Sequence, residues 1–249
     1  MDLVRIKETI LKILQVFYSA FHWTANVILI ILLGHIARIT SFLIKNKKVA
    51  AWLWVSRVWA KALLALAIIR LKVVGKEYVP REGNCLLASN HESTLDIYIL
   101  AAVIPIRFLF VMRKELFKVP LLGNVCKNRG DLPLDQKHPA QTFLDMKKIM
   151  KLLEEGESIL FFPEGQRHQG LHSFKSGIAR IAVESQKPVI PVAISGSGRL
   201  MPPKSFLLRP GRINVTFGKP LRFHENEEYQ EVSQKIMDAI ADMQKRGIA

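Results

Sequence analysis

Cys85-Leu86-Leu87-Ala88-Ser89-Asn90-His91-Glu92-Ser93-Thr94-Leu95-Asp96 runs from an apolar stretch of strand length into the start of a helix. Residues 95–103 have helical length, and Pro105 stops them. A histidine and an aspartate five positions apart cannot share one face of a helix, because that spacing turns the second side chain about 140° from the first. His91 therefore belongs before the helix and Asp96 in its first turns, where a bend brings them together. A neutral imidazole held by a carboxylate is a general base, since the carboxylate fixes the tautomer and stabilises the imidazolium. The sequence has no Gly-x-Ser-x-Gly elbow to accompany it, which points to a hydroxyl on the substrate as the group activated. A structural account competes with this one: Ser93-x-x-Asp96 is also a capping box, which needs no chemistry.

Outward from this junction, strand-length apolar runs alternate with helical patterns. Strands are expected at 85–89, 107–112, 158–162, 189–194 and 212–217, and helices at 95–103, 139–155, 176–185 and 228–245. Pro139 stands at a helix N1 position and Gly156 at a C′ position. The alternation specifies an α/β domain, a largely parallel sheet flanked by helices. Leu71-Lys72-Val73-Val74-Gly75 marks the change of composition, so the division expected is a two-helix membrane-associating motif over 1–72 and an α/β domain over 73–249.

Residues 13–33 carry no formal charge and are long enough to cross a bilayer, which takes about 20 residues. No small-residue cleavage site of a signal peptide accompanies them. A second helical series, 49–69, places Trp52, Trp54 and Trp59 at apolar or interfacial positions, with Arg57 and Lys61 on one face. Arg5, Lys7 and Lys12 precede the first segment and Arg38, Lys45, Lys47 and Lys48 come after it, so the positive-inside rule gives no orientation. Three arrangements fit: a hairpin dipping into one leaflet, a single span, or a buried core hairpin. The expectation adopted is the monotopic hairpin, with the three tryptophans near the headgroups and Arg57, Lys61, Arg70 and Lys72 against anionic lipid.

The net charge of +15 over 249 residues implies an anionic partner. Nucleic acid fits poorly, because the basic residues are scattered and the aromatics gather in the N-terminal apolar region. Cys85 and Cys126 are too few and too far apart for a disulfide framework or a zinc site, so they are read as small buried hydrophobes. No metal is called for; His168 and His172 lack the glutamate of a zincin helix and are read as surface histidines.

Two further stretches invite function. Lys114-Glu115-Leu116-Phe117-Lys118-Val119-Pro120-Leu121-Leu122-Gly123 mixes bulky apolar residues with lysines, as a surface for a lipid with a charged head does, although a helix and loop packed on a sheet reads the same. Phe162-Pro163-Glu164-Gly165-Gln166-Arg167 comes directly after a strand, and ligands of open α/β sheets bind beyond the carboxyl ends of strands. Arg167 there offers a fork of donors suited to phosphate, the alternative being a solvated surface charge.

Asn90-His91-x-x-x-x-Asp96, Lys114 through Pro120 and Gly123, Phe162-Pro163-Glu164-Gly165-x-Arg167 and Val189-Ile190-Pro191-Val192 together resemble the four ordered blocks of the glycerophospholipid acyltransferases. The match is nearest to the bacterial 1-acyl-glycerol-3-phosphate acyltransferases and covers roughly residues 75 to 220. The resemblance implies that His91 takes the proton from the free hydroxyl of lysophosphatidic acid, that Asp96 orients it, and that the oxygen attacks an acyl thioester directly. It also implies that Glu164, Gly165 and Arg167, with Lys114 and Lys175, form the phosphate-binding region, and that Val189 to Val192 shape the sheet end near the donor. Acyl-CoA or acyl carrier protein serves as co-substrate with no other cofactor, and the place of action is the cytoplasmic face of the cell membrane. Two departures stand out: Leu134-Asp135-Gln136-Lys137 replaces the family's usual Ile-Asp-Arg, and Gln166 stands where Thr is common. The first leaves open whether Lys137 substitutes for a phosphate-binding Arg. Acylation of glycerol 3-phosphate or of another lysophospholipid, and a lysophospholipid-binding membrane protein without turnover, are the competing readings.

Overall fold

The computed structural model describes residues 3–43, 48–81 and 84–247. The chain opens with two apolar helices, α1 (Leu3–Leu43) and α2 (Lys48–Leu66), packed on one another. Next comes a seven-stranded sheet, made of β1 (Ile69–Val74), β2 (Leu86–Ser89), β3 (Leu109–Arg113), β4 (Leu132–Leu134), β5 (Ile159–Phe161), β6 (Val189–Ser195) and β7 (Gly211–Phe217). Their order is β1-β7-β6-β2-β5-β3-β4, and every neighbouring pair is parallel except β6 with β7. The helices are α3 (Leu95–Val103), α4 (Leu122–Arg129), α5 (Pro139–Glu154), α6 (Gly177–Ser185), the single turn α7 (Ser197–Leu200) and α8 (Tyr229–Gly247).

The central strands read as unbroken apolar runs because both faces of the sheet are covered. Leu87, Leu160 and Ile190 lie in one buried cluster with Leu63 of α2 and Ile99 of α3. Their neighbours Leu86, Ala88, Ile159 and Phe161 point the other way, into a cluster with Ile149 of α5, Ile181 of α6 and Ile236 of α8. The period-two alternation of each strand thus fixes which side chains meet which helix layer.

The expected strands and helices of the α/β part lie within a few residues of those observed, but two strands have no counterpart in the sequence reading. β4 is three residues long and contains Pro133, too short for a periodic signal. β1 carries Lys72 and Val73 into the sheet, paired parallel with β7, so the strand runs across the division expected between residues 72 and 73. Arg70 and Lys72 project outward from this sheet-edge strand, which is why the segment reads as a linker.

The N-terminal helices differ more. α1 is 41 residues long, twice the segment 13–33. Trp52 and Trp59 of α2 are buried, and only Trp54 of the three is exposed. Trp59 donates its indole N–H to the Asn26 side chain at 3.1 Å, and Arg57 donates to the carbonyls of Ile104 and Ile106 beyond the end of α3 at 2.7 and 3.3 Å. Those three side chains are spent on the interior and are not at the headgroups. α2 forms part of the sheet's cover, which hydropathy alone cannot tell from an interfacial helix. Lys61 remains exposed, and Lys45 and Lys47 lie outside the described residues.

Candidate active site

β2 ends at Ser89, and the buried Asn90 locks the end of the strand to its neighbour β6. Its amide donates to the Ile194 carbonyl at 2.9 Å and its oxygen accepts the Ile194 N–H at 2.8 Å. The chain then bends through His91 to Thr94 into α3. His91 Nδ1 lies 2.9 Å from Asp96 Oδ2. Asp96 is fully buried, and the same oxygen accepts the backbone N–H groups of Glu92 and Ser93, each at 2.8 Å. One carboxylate oxygen thus makes both the imidazole contact expected of a dyad and half of a capping box; the other half is missing, since the Ser93 hydroxyl accepts the Leu95 N–H instead. Because a carboxylate accepts, Nδ1 carries the proton and Nε2 is left with its lone pair free.

The ring of Phe162 lies on that imidazole, centroids 4.0 Å apart and planes 17° apart, and Phe110 stacks behind Phe162 at 6.4 Å. The loop after β5 grips the peptide of His91 from both sides. Glu164 Oε1 accepts the His91 N–H at 2.8 Å, and the His168 N–H donates to the His91 carbonyl at 3.0 Å. Glu164 Oε2 accepts the His172 N–H at 3.2 Å. Glu164 is buried, and burial pushes its carboxyl up to about 7 against the pull of those two N–H groups. Expected in the phosphate-binding region, Glu164 turns both of its oxygens to backbone donors, the N–H groups of His91 and His172.

Gly165 has φ +75°, and a Cβ there would fall 2.8 Å from Lys175 Nζ. Glycine thus admits the lysine beside the turn. Arg167 donates to the Thr94 hydroxyl, which brings its guanidinium next to the dyad. Gln136, in the position of the family's arginine, lies 3.5 Å from both the Gly165 carbonyl and Lys175 Nζ. Lys137 lies 3.6 Å from Glu115 instead, so the cation beside Gln136 is Lys175. Lys114 is paired with Asp135, which also accepts His138 Nδ1 at 2.8 Å and the Lys137 N–H at 2.8 Å. Lys114 first, then these donors, hold the Asp135 carboxyl well below the usual range. The loops after β2 and β5 thus bring His91, Asp96, Glu164, Arg167 and Lys175 together. Lys114 adjoins them through Asp135 and Gln136.

An apolar cavity lies on the α3 side of the sheet, lined by Trp59, Ile97, Tyr98, Phe110, Met112 and Val125, among others. Phe110 connects it to the stack over His91. Sequence reasoning quoted Phe162 and Gln136 within motifs but foresaw neither the stacking of Phe162 on His91 nor the contact of Gln136 with Lys175, and it gave Thr94 no role, because these contacts arise only from the packing of separate loops. Cys85 and Cys126 are both buried. His168 and His172 stack at 4.0 Å, and among the described residues no group of three or more His, Cys, Asp or Glu is placed to hold a metal.

The acyltransferase family profile matches residues 70–195. A chloroplastic 1-acyl-sn-glycerol-3-phosphate acyltransferase of Brassica napus is 31% identical over 172 residues, covering 68% of this chain and 49% of that protein. A Bacillus subtilis protein of the same name is 29% identical over 167 residues, covering 65% of this chain and 80% of that one. The chain spans about half the length of the plant relatives it matches. The crystal structure of the 1-acyl-sn-glycerophosphate acyltransferase from Thermotoga maritima superposes with a TM-score of 0.84 at 22% identity, covering 96% of this chain and 98% of that one. That agreement shows the fold: an α/β sheet, mostly parallel, flanked by helices, with apolar helices at the N-terminus.

Proposed function

This chain belongs to the acyltransferase family, and from that premise we propose that it transfers an acyl chain from an acyl thioester to the sn-2 hydroxyl of 1-acyl-glycerol-3-phosphate, giving phosphatidic acid. The observation that carries the reading is the His91 Nδ1 to Asp96 Oδ2 contact of 2.9 Å, which leaves Nε2 as a base, with Arg167 held at the nearby Thr94. Nε2 removes the hydroxyl proton as the oxygen attacks the thioester carbonyl. The tetrahedral intermediate collapses with cleavage of the C–S bond, and the imidazolium returns the proton to the departing thiolate. Asp96 stabilises the imidazolium in between. Arg167 and Lys175, with Lys114 behind Gln136, bind the acceptor phosphate. Acyl-CoA and acyl carrier protein both present the same thioester.

The acceptor carries one acyl chain, and burial of such a chain favours the membrane by about 0.8 kcal/mol per methylene. An enzyme resting on one leaflet reaches the hydroxyl without extracting the chain. Large apolar residues of α1 are exposed from Val4 to Leu43. A helix of 41 residues is about 60 Å long, against a hydrocarbon core of about 30 Å. That length and continuous exposure favour α1 lying along a leaflet over standing across the bilayer, on the cytoplasmic side where CoA and carrier-protein thioesters are found.

Thiol release by the purified protein tests the proposal, with lysophosphatidic acid, glycerol 3-phosphate or lysophosphatidylcholine as acceptor and acyl-CoA or acyl carrier protein as donor. Release that requires lysophosphatidic acid supports it. Binding without thiol release would make the chain a lipid-binding protein, and preference for another acceptor would move the substrate assignment.

A further inference from the structure

The segment between α7 and β7 is built like a wedge. Its base is anchored: Met201 and Leu208 are buried, the Met201 N–H donates to the Ser197 carbonyl at 2.9 Å, and the Arg209 N–H donates to the Leu200 carbonyl at 3.0 Å. Its tip is internally ordered, with the Ser205 N–H on the Pro202 carbonyl at 3.1 Å and the Leu207 N–H on the Ser205 hydroxyl at 3.0 Å. Yet this ordered tip presents Phe206, 75% exposed, and Leu207, 41% exposed. Lys204 and Arg209, both exposed, flank the pair. An ordered turn thus holds most of a phenylalanine out in water.

The wedge is fastened to α1. The Leu208 N–H donates to Ser19 Oγ at 2.9 Å, and Trp23 donates its indole N–H to the Phe206 carbonyl at 2.8 Å. The Trp23 and Phe206 rings meet edge to face at 6.2 Å. Phe206 therefore lies within one helix diameter, about 10 Å, of the helix with the longest exposed apolar surface in the molecule. Two cations beside two apolar side chains, continuous with an apolar helix, match an anionic leaflet: lysine and arginine meet headgroup phosphate while the aromatic and leucine enter the acyl region.

We propose that residues 204–207 form a second membrane-inserting element, which enters an anionic leaflet beside α1 and fixes the tilt of the α/β domain on it. This rests on the reading of α1 as lying on a leaflet, and the test separates the two. Phe206→Cys and, as reference, Phe17→Cys in α1 are each labelled with an environment-sensitive nitrobenzoxadiazole dye. The buried Cys85 and Cys126 are checked as a blank in the unsubstituted chain. The backbone carbonyl that binds Trp23 is retained in the first variant. On adding phosphatidylcholine vesicles containing phosphatidylglycerol, both labels should shift to the blue and be quenched by doxyl-labelled lipid. A label at 206 that stays in water while the label at 17 inserts would overturn the wedge and leave the α1 reading standing. Water exposure of both would overturn both. The double variant Phe206→Ser with Leu207→Ser loses the Trp23 ring contact but keeps the backbone one, so it should melt as a folded protein at a slightly lower temperature and partition to these vesicles roughly tenfold less; unchanged partition would also overturn the proposal.

Discussion

Phe162 lies flat on the imidazole of His91, 4.0 Å between centroids and 17° between planes, while Asp96 holds the same ring by an edge at 2.9 Å. Two contacts at right angles leave the imidazole one orientation. Phe162→Ala removes the out-of-plane support, and misplacement of a catalytic group by about 1 Å can cost on the order of a hundredfold in rate. Turnover is expected to fall ten- to a hundredfold with little change in the apparent KM for either substrate, and Phe162→Leu should restore part of it. Steady-state kinetics on the three proteins check this.

Asp96 combines two tasks that mutation can separate. Asp96→Asn can keep its oxygen in the place of Oδ2, which already accepts all three donors, but it removes the charge that stabilises the imidazolium and puts an amide NH2 where Oδ1 is buried without a partner. It should lower turnover, and also the melting temperature, at about 1 to 3 kcal/mol for a buried donor left unpaired. The Ser93 hydroxyl accepts the Leu95 N–H, at 3.2 Å, and Ser93→Ala should cost about 1 kcal/mol of stability with turnover retained. Thermal melts alongside rate measurements distinguish the two. Loss of activity in the serine variant alone would favour capping over catalysis.

Arg167 reaches Thr94 at the edge of the dyad and is proposed to bind the acceptor phosphate. Arg167→Ala should raise the KM for lysophosphatidic acid at least tenfold while moving that for the thioester little. Arg167→Lys should recover only part of the loss, because a lysine has no bidentate fork. Equal effects on both substrates would make Arg167 structural.

Glu164 should give stability a pH dependence of definite sign. Its carboxyl is raised from 4.5 to about 7 by burial, so the folded state favours the protonated form. Its contribution is complete below about pH 4.5 and is lost as the pH rises through 7. Glu164→Gln keeps the size and cannot ionise, so the melting temperature of the wild type minus that of the variant should fall between pH 5 and pH 7.5. A difference that is flat or rises over that interval would contradict the assignment.

The strand-to-helix junction at His91 is legible in the sequence because a strand, a bend and a helix each leave a local signature, and Pro139 and Gly156 mark α5 for the same reason. Sequence alone misplaces Arg57 and Trp59 at the membrane surface because the partners that bury them, Ile104 and Asn26, are 47 and 33 residues away. Amphipathicity reports that a face is apolar and is silent on whether protein or lipid covers it. Glu164 illustrates the same limit inside the site: its neighbours in sequence suggest a phosphate loop, whereas its carboxylate turns to the peptide of His91, 73 residues away.

The central claim is that the His91 imidazole, held by Asp96, deprotonates the acceptor hydroxyl. The most direct measurement is single-turnover thiol release by His91→Ala with lysophosphatidic acid and acyl thioester, run beside a thermal melt and vesicle binding. The account predicts a rate on the order of 10² to 10⁴ below wild type, with the melting temperature and vesicle binding retained. Near wild-type release from a variant that melts and binds normally would contradict it.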